Sequence, residues 1–214
     1  MLNSECMDNQ ERQNKEQEIL AAAEQEFLTK GYDGARTTSI AKAAGVTHAM
    51  LHYYFRTKEQ LFERIVDEKF RVMLQSTLAV LGDPSLPMVE RVRCGVINHF
   101  DFVSRNPLLP RFIINEIVSR PERYGVLHAR IGAIIDNVYR GLQTDINAAA
   151  ERGEMERVDA KMLFISIMSL NIFTFIAYPF MKPLMGELMA DDAKFLEARK
   201  AENIETIMRR IKKQ

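Results

Sequence analysis

Apolar residues recur at intervals of three and four positions along almost the whole chain. Between residues 12 and 30, the stripe Ile19, Leu20, Ala23 and Phe27 predicts an amphipathic helix, which Gly31 is expected to end. No stretch alternates apolar and polar residues over a sustained length. The pattern therefore predicts an all-α fold of about nine helices.

Capping residues predict three more helices directly after the first. Thr37 and Thr38 are placed to cap a short second helix, and Gly45 is expected to end it. Thr47 is placed to cap a third short helix. The segment 57–60, Thr-Lys-Glu-Gln, has the form of a capping box and predicts the start of a long fourth helix.

The break Gly82–Pro87 separates these elements from a second group of helical patterns. Further helices are predicted around the apolar stripe 92–103, from Leu108 to Ser119, from Pro121 to Arg152, over the uncharged run Met162–Met181, and around 204–211. Pro179 is expected to break the uncharged run, and Pro183 and Gly186 to separate it from the last helix.

Composition indicates a folded protein of a reducing compartment. The chain has 214 residues, of which 47% are apolar, and 29 basic residues balance 29 acidic ones. Its two cysteines, Cys6 and Cys94, cannot form a disulfide framework. The first residues lack a basic segment followed by an apolar run, so we expect no secretory signal and a cytoplasmic location.

The charges are unevenly placed despite this balance. Residues 1–35 carry eight acidic side chains, whereas the 23 residues from Arg36 to Lys58 carry four basic ones and no acidic one. An acid-free window of this kind is either a phosphate-facing surface or a solvated face that arose by chance.

Two short helices joined by the sequence Ala-Gly-Val-Thr at 44–47 form a helix-turn-helix pattern, which typically presents its second helix to the major groove. Here the resemblance becomes specific, because many spaced positions between residues 15 and 66 are similar to the DNA-binding domain of the tetracycline-repressor (TetR) family. The matching positions are Ile19–Ala23, Phe27, Gly31, Tyr32, Thr37, Thr38, Ile40, Ala41, 44–47, Leu51, Tyr54, Phe55 and 58–61.

The resemblance implies a homodimeric transcriptional regulator, usually a repressor, that binds palindromic operator DNA and an unknown small-molecule effector. It implies a DNA-binding domain over residues 12–60 and a ligand-binding and dimerisation domain over 61–214. Helices eight and nine are the expected dimer interface, because the uncharged run 162–181 and Ile204, Ile207 and Ile211 offer more apolar surface than one bundle can bury. The DNA-contacting residues that the resemblance implies, with neighbouring candidates, are Arg36, Thr37, Thr38, Thr47, His48, Ala49, Met50, His52, Tyr53, Tyr54 and Lys58.

The chain departs from the family pattern in the third helix. Ala49 stands where the family usually has Gly, and His52 where it usually has Tyr. Residues 47–55 contain no Arg or Lys, so a bidentate contact from either to guanine cannot come from this helix. Alternative roles stay open, since Tyr54 could belong to the core and His52 could be merely solvated.

Polar residues beside apolar runs are candidate ligand contacts in the second domain, although core, cap or surface roles are open for each. The candidates, together with neighbouring aromatic residues, are His99, Phe102, Phe112, Asn115, Glu116, His128, Asn171, Phe175 and Tyr178.

Two alternative functions are open at this point. One is a helix-turn-helix regulator without a small-molecule ligand. The other is a membrane-associated interaction protein, because Met162–Met181 is long enough to span a bilayer, although several polar residues favour a buried helix. The sequence contains no phosphate-binding loop or metal-ligand spacing, so we expect neither an enzyme nor a cofactor.

Overall fold

The computed structural model describes the backbone of residues 2–118 and 121–213 and most side chains within these ranges. The described side chains are those of residues 10–72, 75, 81–116, 132 and 136–213. The ligand candidate His128 therefore lies outside the described side chains, as do the predicted apolar positions Leu127, Ile131 and Ile134.

The described residues form nine α-helices and no strand, which confirms the predicted all-α class. The helices are α1 (Leu2–Gly34), α2 (Thr37–Ala43), α3 (His48–Tyr54), α4 (Lys58–Leu81), α5 (Met88–Arg105), α6 (Leu109–Ile113), α7 (Pro121–Glu151), α8 (Ala160–Met185) and α9 (Asp192–Ile211). A π-turn, Ile114–Val118, follows α6, and a 3-10 turn, Gly186–Met189, follows α8.

Gly31 interrupts the regular helix α1, as the sequence predicted. Its backbone has φ 68° and ψ 177°, a conformation that only glycine adopts readily, and the chain makes one more turn before Gly34. The C-terminal end of α1 is thereby redirected towards α2.

Two predictions about helix ends were wrong. Thr37 and Thr38 do not cap α2, because the helix begins at Thr37 and Arg36 occupies the N-cap position. Pro179 does not break α8, which continues through Pro183 to Met185. Both prolines lie on the exposed side of the helix, where water can bond to the carbonyl groups that lose their N–H partners.

The chain forms two compact units, residues 1–72 and 73–214, with the division falling within α4. In the N-terminal unit, Phe27 of α1 is completely buried. Its ring stacks on Tyr32 at a centroid distance of 6.0 Å and meets the edge of Phe62 at 5.3 Å. Ile40 of α2 and Leu51 of α3 are also fully buried. This core orients the two short helices.

The C-terminal unit has a separate core. Val96 of α5, Ile146 of α7, Leu163 of α8 and Ile207 of α9 are each almost fully buried and belong to one cluster of packed residues. The predicted apolar stripe of α7 therefore faces the core over its described C-terminal part.

Phe27→Ala should destabilise the N-terminal unit by about 3–5 kcal/mol, because it removes a fully buried ring and leaves a cavity. Urea unfolding monitored by circular dichroism measures this loss. Gln25→Ala, an exposed position on the same helix, is the matched control and should change stability by less than about 0.5 kcal/mol. Equal stabilities of the two variants would contradict the assigned core.

Candidate nucleic-acid interface

The turn between α2 and α3 is closed by backbone hydrogen bonds around Gly45. The Val46 N–H donates to the Ala41 carbonyl at 3.0 Å, and Gly45 has φ 65°, in the left-handed region. Thr47 then caps α3, since its Oγ1 accepts from the Met50 N–H at 3.1 Å. The predicted helix-turn-helix is formed, with the predicted cap on its second helix.

Helix α3 has one buried side and one exposed side. Leu51 is 1% exposed and Phe55, directly after the helix, is also buried, whereas Tyr53 is 69% exposed. The exposed side carries most of the residues that the sequence assigned to DNA contact, while Tyr54 is half-buried between the two sides. The exposed residues are Thr47, His48, Ala49, Met50, His52 and Tyr53.

Two histidines on the exposed side are held by specific contacts. The Nε2 atom of His48 lies 3.0 Å from Oγ1 of Thr37, and Nδ1 of His52 lies 3.2 Å from the carbonyl oxygen of Arg56. The two imidazole rings meet edge to face, with centroids 4.4 Å apart and planes at 89°. The rings therefore have defined orientations before any DNA is bound.

The N-terminus of α2 is anchored to α1. The Arg36 N–H donates to the Glu26 carboxylate at 3.2 Å, and the hydrogen bond from Lys30 holds the pKa of that carboxyl below its ordinary value. The first turn of α2 contains no acidic residue, and Thr38 is exposed there. The free backbone N–H groups at the start of α2 and the positive end of its helix dipole suit a phosphate.

Lys58 contacts other groups of the N-terminal unit in this structure. Its Nζ atom lies 4.6 Å from the centroid of the Tyr32 ring and 3.5 Å from the carbonyl oxygen of Asp33. Thr57 caps α4 by accepting from the Gln60 N–H at 3.1 Å, as predicted. A cation–π contact of this kind is compatible with a second bond to phosphate, so the phosphate contact of Lys58 stays a prediction.

The sequence did not identify Arg12 as a candidate. Its Nη2 atom donates to the Tyr53 hydroxyl at 3.0 Å, and its guanidinium carbon lies 5.7 Å from the centroid of that ring. The two residues are 41 positions apart, so no local pattern could reveal the pair. Arg12 places a cation beside a helix that has no Arg or Lys of its own.

The comparisons with known proteins agree with this geometry. Residues 19–65 match the family model of bacterial regulatory proteins of the tetR family. Residues 19–65 form a TetR-family DNA-binding domain. The chain is thus a transcriptional regulator that contains a helix-turn-helix.

Two relatives and one solved structure are similar to the chain beyond the residues that the family model matches. The chain is 25% identical over 145 residues to the transcriptional activator FasR of Mycolicibacterium smegmatis, covering 67% of this chain and 66% of FasR. It is 28% identical over 170 residues to the nucleoid occlusion factor SlmA of Vibrio atlanticus, covering 76% and 85%. A tetR-family protein from Rhodococcus RHA1 shares its fold, with a TM-score of 0.70 and 22% identity over 94% of this chain and 98% of that one.

The C-terminal unit contains a buried polar cluster formed by His99 of α5, Asn171 of α8 and Asn203 of α9. Asn171 Nδ2 donates to the Val96 carbonyl and to Nδ1 of His99, both at 3.1 Å, and Asn171 Oδ1 accepts from Asn203 Nδ2 at 2.9 Å. Because Nδ1 of His99 accepts, its Nε2 carries the hydrogen. Among the described residues, neither this Nε2–H nor Oδ1 of Asn203 has a partner.

The cluster combines two predicted ligand candidates, His99 and Asn171, with Asn203, which the sequence analysis missed. The side chain of Asn203 lies among the apolar positions of α9. A single asparagine on such a stripe gives no sequence signal that would mark it as a binding residue. Phe175, another candidate, is buried and packs on Phe100 at a centroid distance of 5.4 Å.

The other described candidates are not part of this cluster. Phe102, Phe112 and Glu116 are buried, Tyr178 is half-buried, and Asn115 is exposed. Their roles in ligand binding stay predictions.

Burial lowers the pKa of His99 to about 4, because the charged ring would lose its hydration. An unfolded chain binds this proton near pH 6.5, so the contribution to stability is complete above pH 6.5 and is lost as the pH falls towards 4. Wild type should lose about 2 kcal/mol from this group between pH 7.5 and pH 5.

Urea unfolding at fixed protein concentration measures this loss. His99→Asn, which cannot titrate, should lose about 2 kcal/mol less than wild type over the same pH interval. Identical pH profiles for the two proteins would show that His99 is not buried in neutral form.

Proposed function

We propose that this TetR-family regulator is a cytoplasmic homodimeric repressor that binds palindromic operator DNA and leaves it when a small apolar ligand binds. The observation that supports the DNA-binding part best is the exposed side of α3. It lies within an acid-free window and stands beside Arg12, a cation from a distant part of the sequence. Such a surface fits the major groove of a polyanion.

The proposed phosphate contacts are made by groups flanking α3. Thr37 and Thr38 lie in the first turn of α2, and Lys58 lies in the first turn of α4. Helix N-termini offer backbone N–H donors to phosphate, and the Lys58 ammonium adds a positive charge. Base contacts are then left to the exposed side chains of α3.

Helix α8 supports the proposed dimer. Its length and apolar composition would allow it to cross a membrane, but a helix packed inside a folded protein can have the same length and composition. One side of α8 packs into the C-terminal unit through Leu163, Asn171 and Phe175. The opposite side exposes large apolar residues at helical spacing, including Ile165, Phe173, Phe180 and Leu184.

A second copy of the chain is the proposed occupant of this exposed stripe. A twofold interface brings the same stripe of each protomer together, so the apolar surface of one copy covers that of the other. Stable interfaces of this kind bury more than about 1,000 Å² in total. A dimer also matches the twofold symmetry of a palindromic operator.

The buried polar cluster supports the proposed ligand site. His99 offers an N–H donor and Asn203 a carbonyl acceptor beside the aromatic residues Phe100 and Phe175. Binding sites for small molecules combine apolar walls with a few polar groups of this kind. We propose that α4, which contributes residues to both units, carries the coupling between ligand and DNA.

Thermal-shift measurements with a panel of small apolar compounds test the ligand. A compound that stabilises wild type but not His99→Leu occupies the proposed site, and it must weaken DNA binding by the factor by which DNA weakens its own binding. The expected coupling is about 5- to 150-fold. DNA affinity that stays constant in the presence of every stabilising compound would favour a regulator without a ligand.

A reporter gene tests repression. Duplexes that the purified protein selects from a random pool are placed in the promoter, and expression is compared with and without the protein. The proposal expects lower expression with the protein. Higher expression would contradict repression and agree with the activator role that the name of FasR states.

Phe173→Glu should convert the dimer into a monomer, because it places two charges in the centre of the proposed apolar interface. Phe173 is 64% exposed in the single chain, so the substitution should leave the fold intact. Sedimentation velocity at micromolar concentration measures the change. Leu108→Glu, at another exposed apolar position, is the control and should remain dimeric. A monomeric wild type would contradict the dimer.

We propose that the Arg12 guanidinium, which lies beside Tyr53, also contacts a phosphate. Arg12→Ala should then weaken binding to all duplexes and lower the slope of log K against log salt by about one per protomer. Lys15→Ala, nearby on α1, is the control because Lys15 is paired with Glu18 at 2.8 Å. Fluorescence anisotropy at several salt concentrations measures both slopes. An unchanged slope for Arg12→Ala would show that Arg12 only supports Tyr53.

A further inference from the structure

The hydrogen-bond partner of His52 fixes which of its ring nitrogens carries the proton. Nδ1 lies 3.2 Å from the carbonyl oxygen of Arg56. A carbonyl oxygen only accepts, so Nδ1 must be the donor. In the neutral ring the other nitrogen, Nε2, then has a lone pair and acts as an acceptor.

The ring is also held in position from its other side. His48, one turn earlier on α3, meets it edge to face at 4.4 Å, and His48 is itself joined to Thr37 of α2 at 3.0 Å. The side chain of His52 remains exposed on the side of α3 that carries Tyr53. An exposed acceptor with a preset orientation loses little conformational freedom when it binds.

His48 does not carry the same information. Its partner is a hydroxyl group, which both donates and accepts, so the contact with Thr37 does not determine which nitrogen of His48 is protonated. The assignment of one ring nitrogen as an acceptor is therefore specific to His52.

The major groove offers few partners to an acceptor. Guanine presents N7 and O6 and thymine presents O4, which are all acceptors, whereas adenine N6 and cytosine N4 are the donors. We propose that His52 determines sequence specificity by accepting a hydrogen bond from the exocyclic amino group of adenine or cytosine. This inference rests on the proposed docking of α3 in the major groove.

The proposed hydrogen bond depends on which DNA strand carries the amino group. Each base pair has one amino group in the major groove, on adenine or on cytosine, so inverting the pair moves that group to the other strand. His52 should therefore discriminate a base pair from its inverted form. Residues 47–55 contain no Arg or Lys that would select guanine instead. Nε2 of His52 is therefore one of the few polar groups of α3 that can distinguish bases.

The test begins with selection of binding sites by the wild-type chain of 214 residues from a random duplex pool at pH 8. In the selected duplex, each adenine is replaced in turn by purine and each cytosine by pyrimidin-2-one, which removes only the exocyclic amino group. At one position in each half-site, the replacement should weaken binding of wild type by about 2- to 12-fold, the value of one hydrogen bond. His52→Leu should bind the original and the modified duplex equally.

Gln25→Ala is the control, because it changes an exposed side chain of α1 that is not among the proposed DNA contacts. It should remain sensitive to the loss of the amino group that His52→Leu ignores. Equal sensitivity of wild type and His52→Leu at every amino group would overturn the assignment, as would a loss of sensitivity shared by both variants. Both of these outcomes leave the proposed DNA binding intact. A wild-type chain that selects no sequence from the random pool would instead overturn the proposed sequence-specific DNA binding together with the role of His52.

Discussion

The backbone conformation of Gly45 is the constraint on which the N-terminal unit depends. A Cβ atom at this position would meet nothing within 4 Å, so space does not require glycine here. The requirement comes from φ 65°, which L-residues with side chains rarely adopt. This single left-handed residue turns the chain between α2 and α3, and the Thr47 cap then starts α3 at a defined point. With Leu51 in the core, the opposite side of α3 must face outwards.

The polar contacts on that outward side are arranged before DNA is present. His48 is held by Thr37, His52 by the Arg56 carbonyl, and Tyr53 by Arg12. Each contact comes from a different place, namely α2, the segment after α3, and α1. The reading surface is therefore a product of the whole N-terminal unit and not of α3 alone, which is the physical reason for treating its side chains as preorganised.

The C-terminal unit uses a different device, a hydrogen-bonded cluster inside an apolar core. Asn171 donates twice and accepts once, so it joins α5, α8 and α9 through one completely buried side chain. Burying polar groups is costly unless they are paired, so a shift of any one helix along its axis would break a bond. The cluster thus specifies the register of three helices. Nε2 of His99 and Oδ1 of Asn203, which have no partner among the described residues, support the proposed ligand site.

The sequence predicted the local features well because they depend on neighbouring residues. The helical class, the break at Gly31 and the caps at Thr47 and Thr57 follow from intervals of one to four positions. The predicted cap at Thr37 was wrong because Arg36 occupies the N-cap position, and its N–H donates to Glu26, ten residues before Arg36 and outside the helix. Arg12 and Asn203 were missed for the same reason, since their partners Tyr53 and Asn171 are 41 and 32 positions away.

The central claim is that the exposed side of α3 and the helix ends beside it form the DNA contact of this TetR-family regulator. Hydrogen–deuterium exchange of the full chain, with and without a duplex that it selects, tests this claim most directly. Amide exchange should become slower on DNA binding at the start of α2, throughout α3 and at the start of α4. Protection confined to other parts of the chain, with the exchange of α3 unchanged, would contradict this claim.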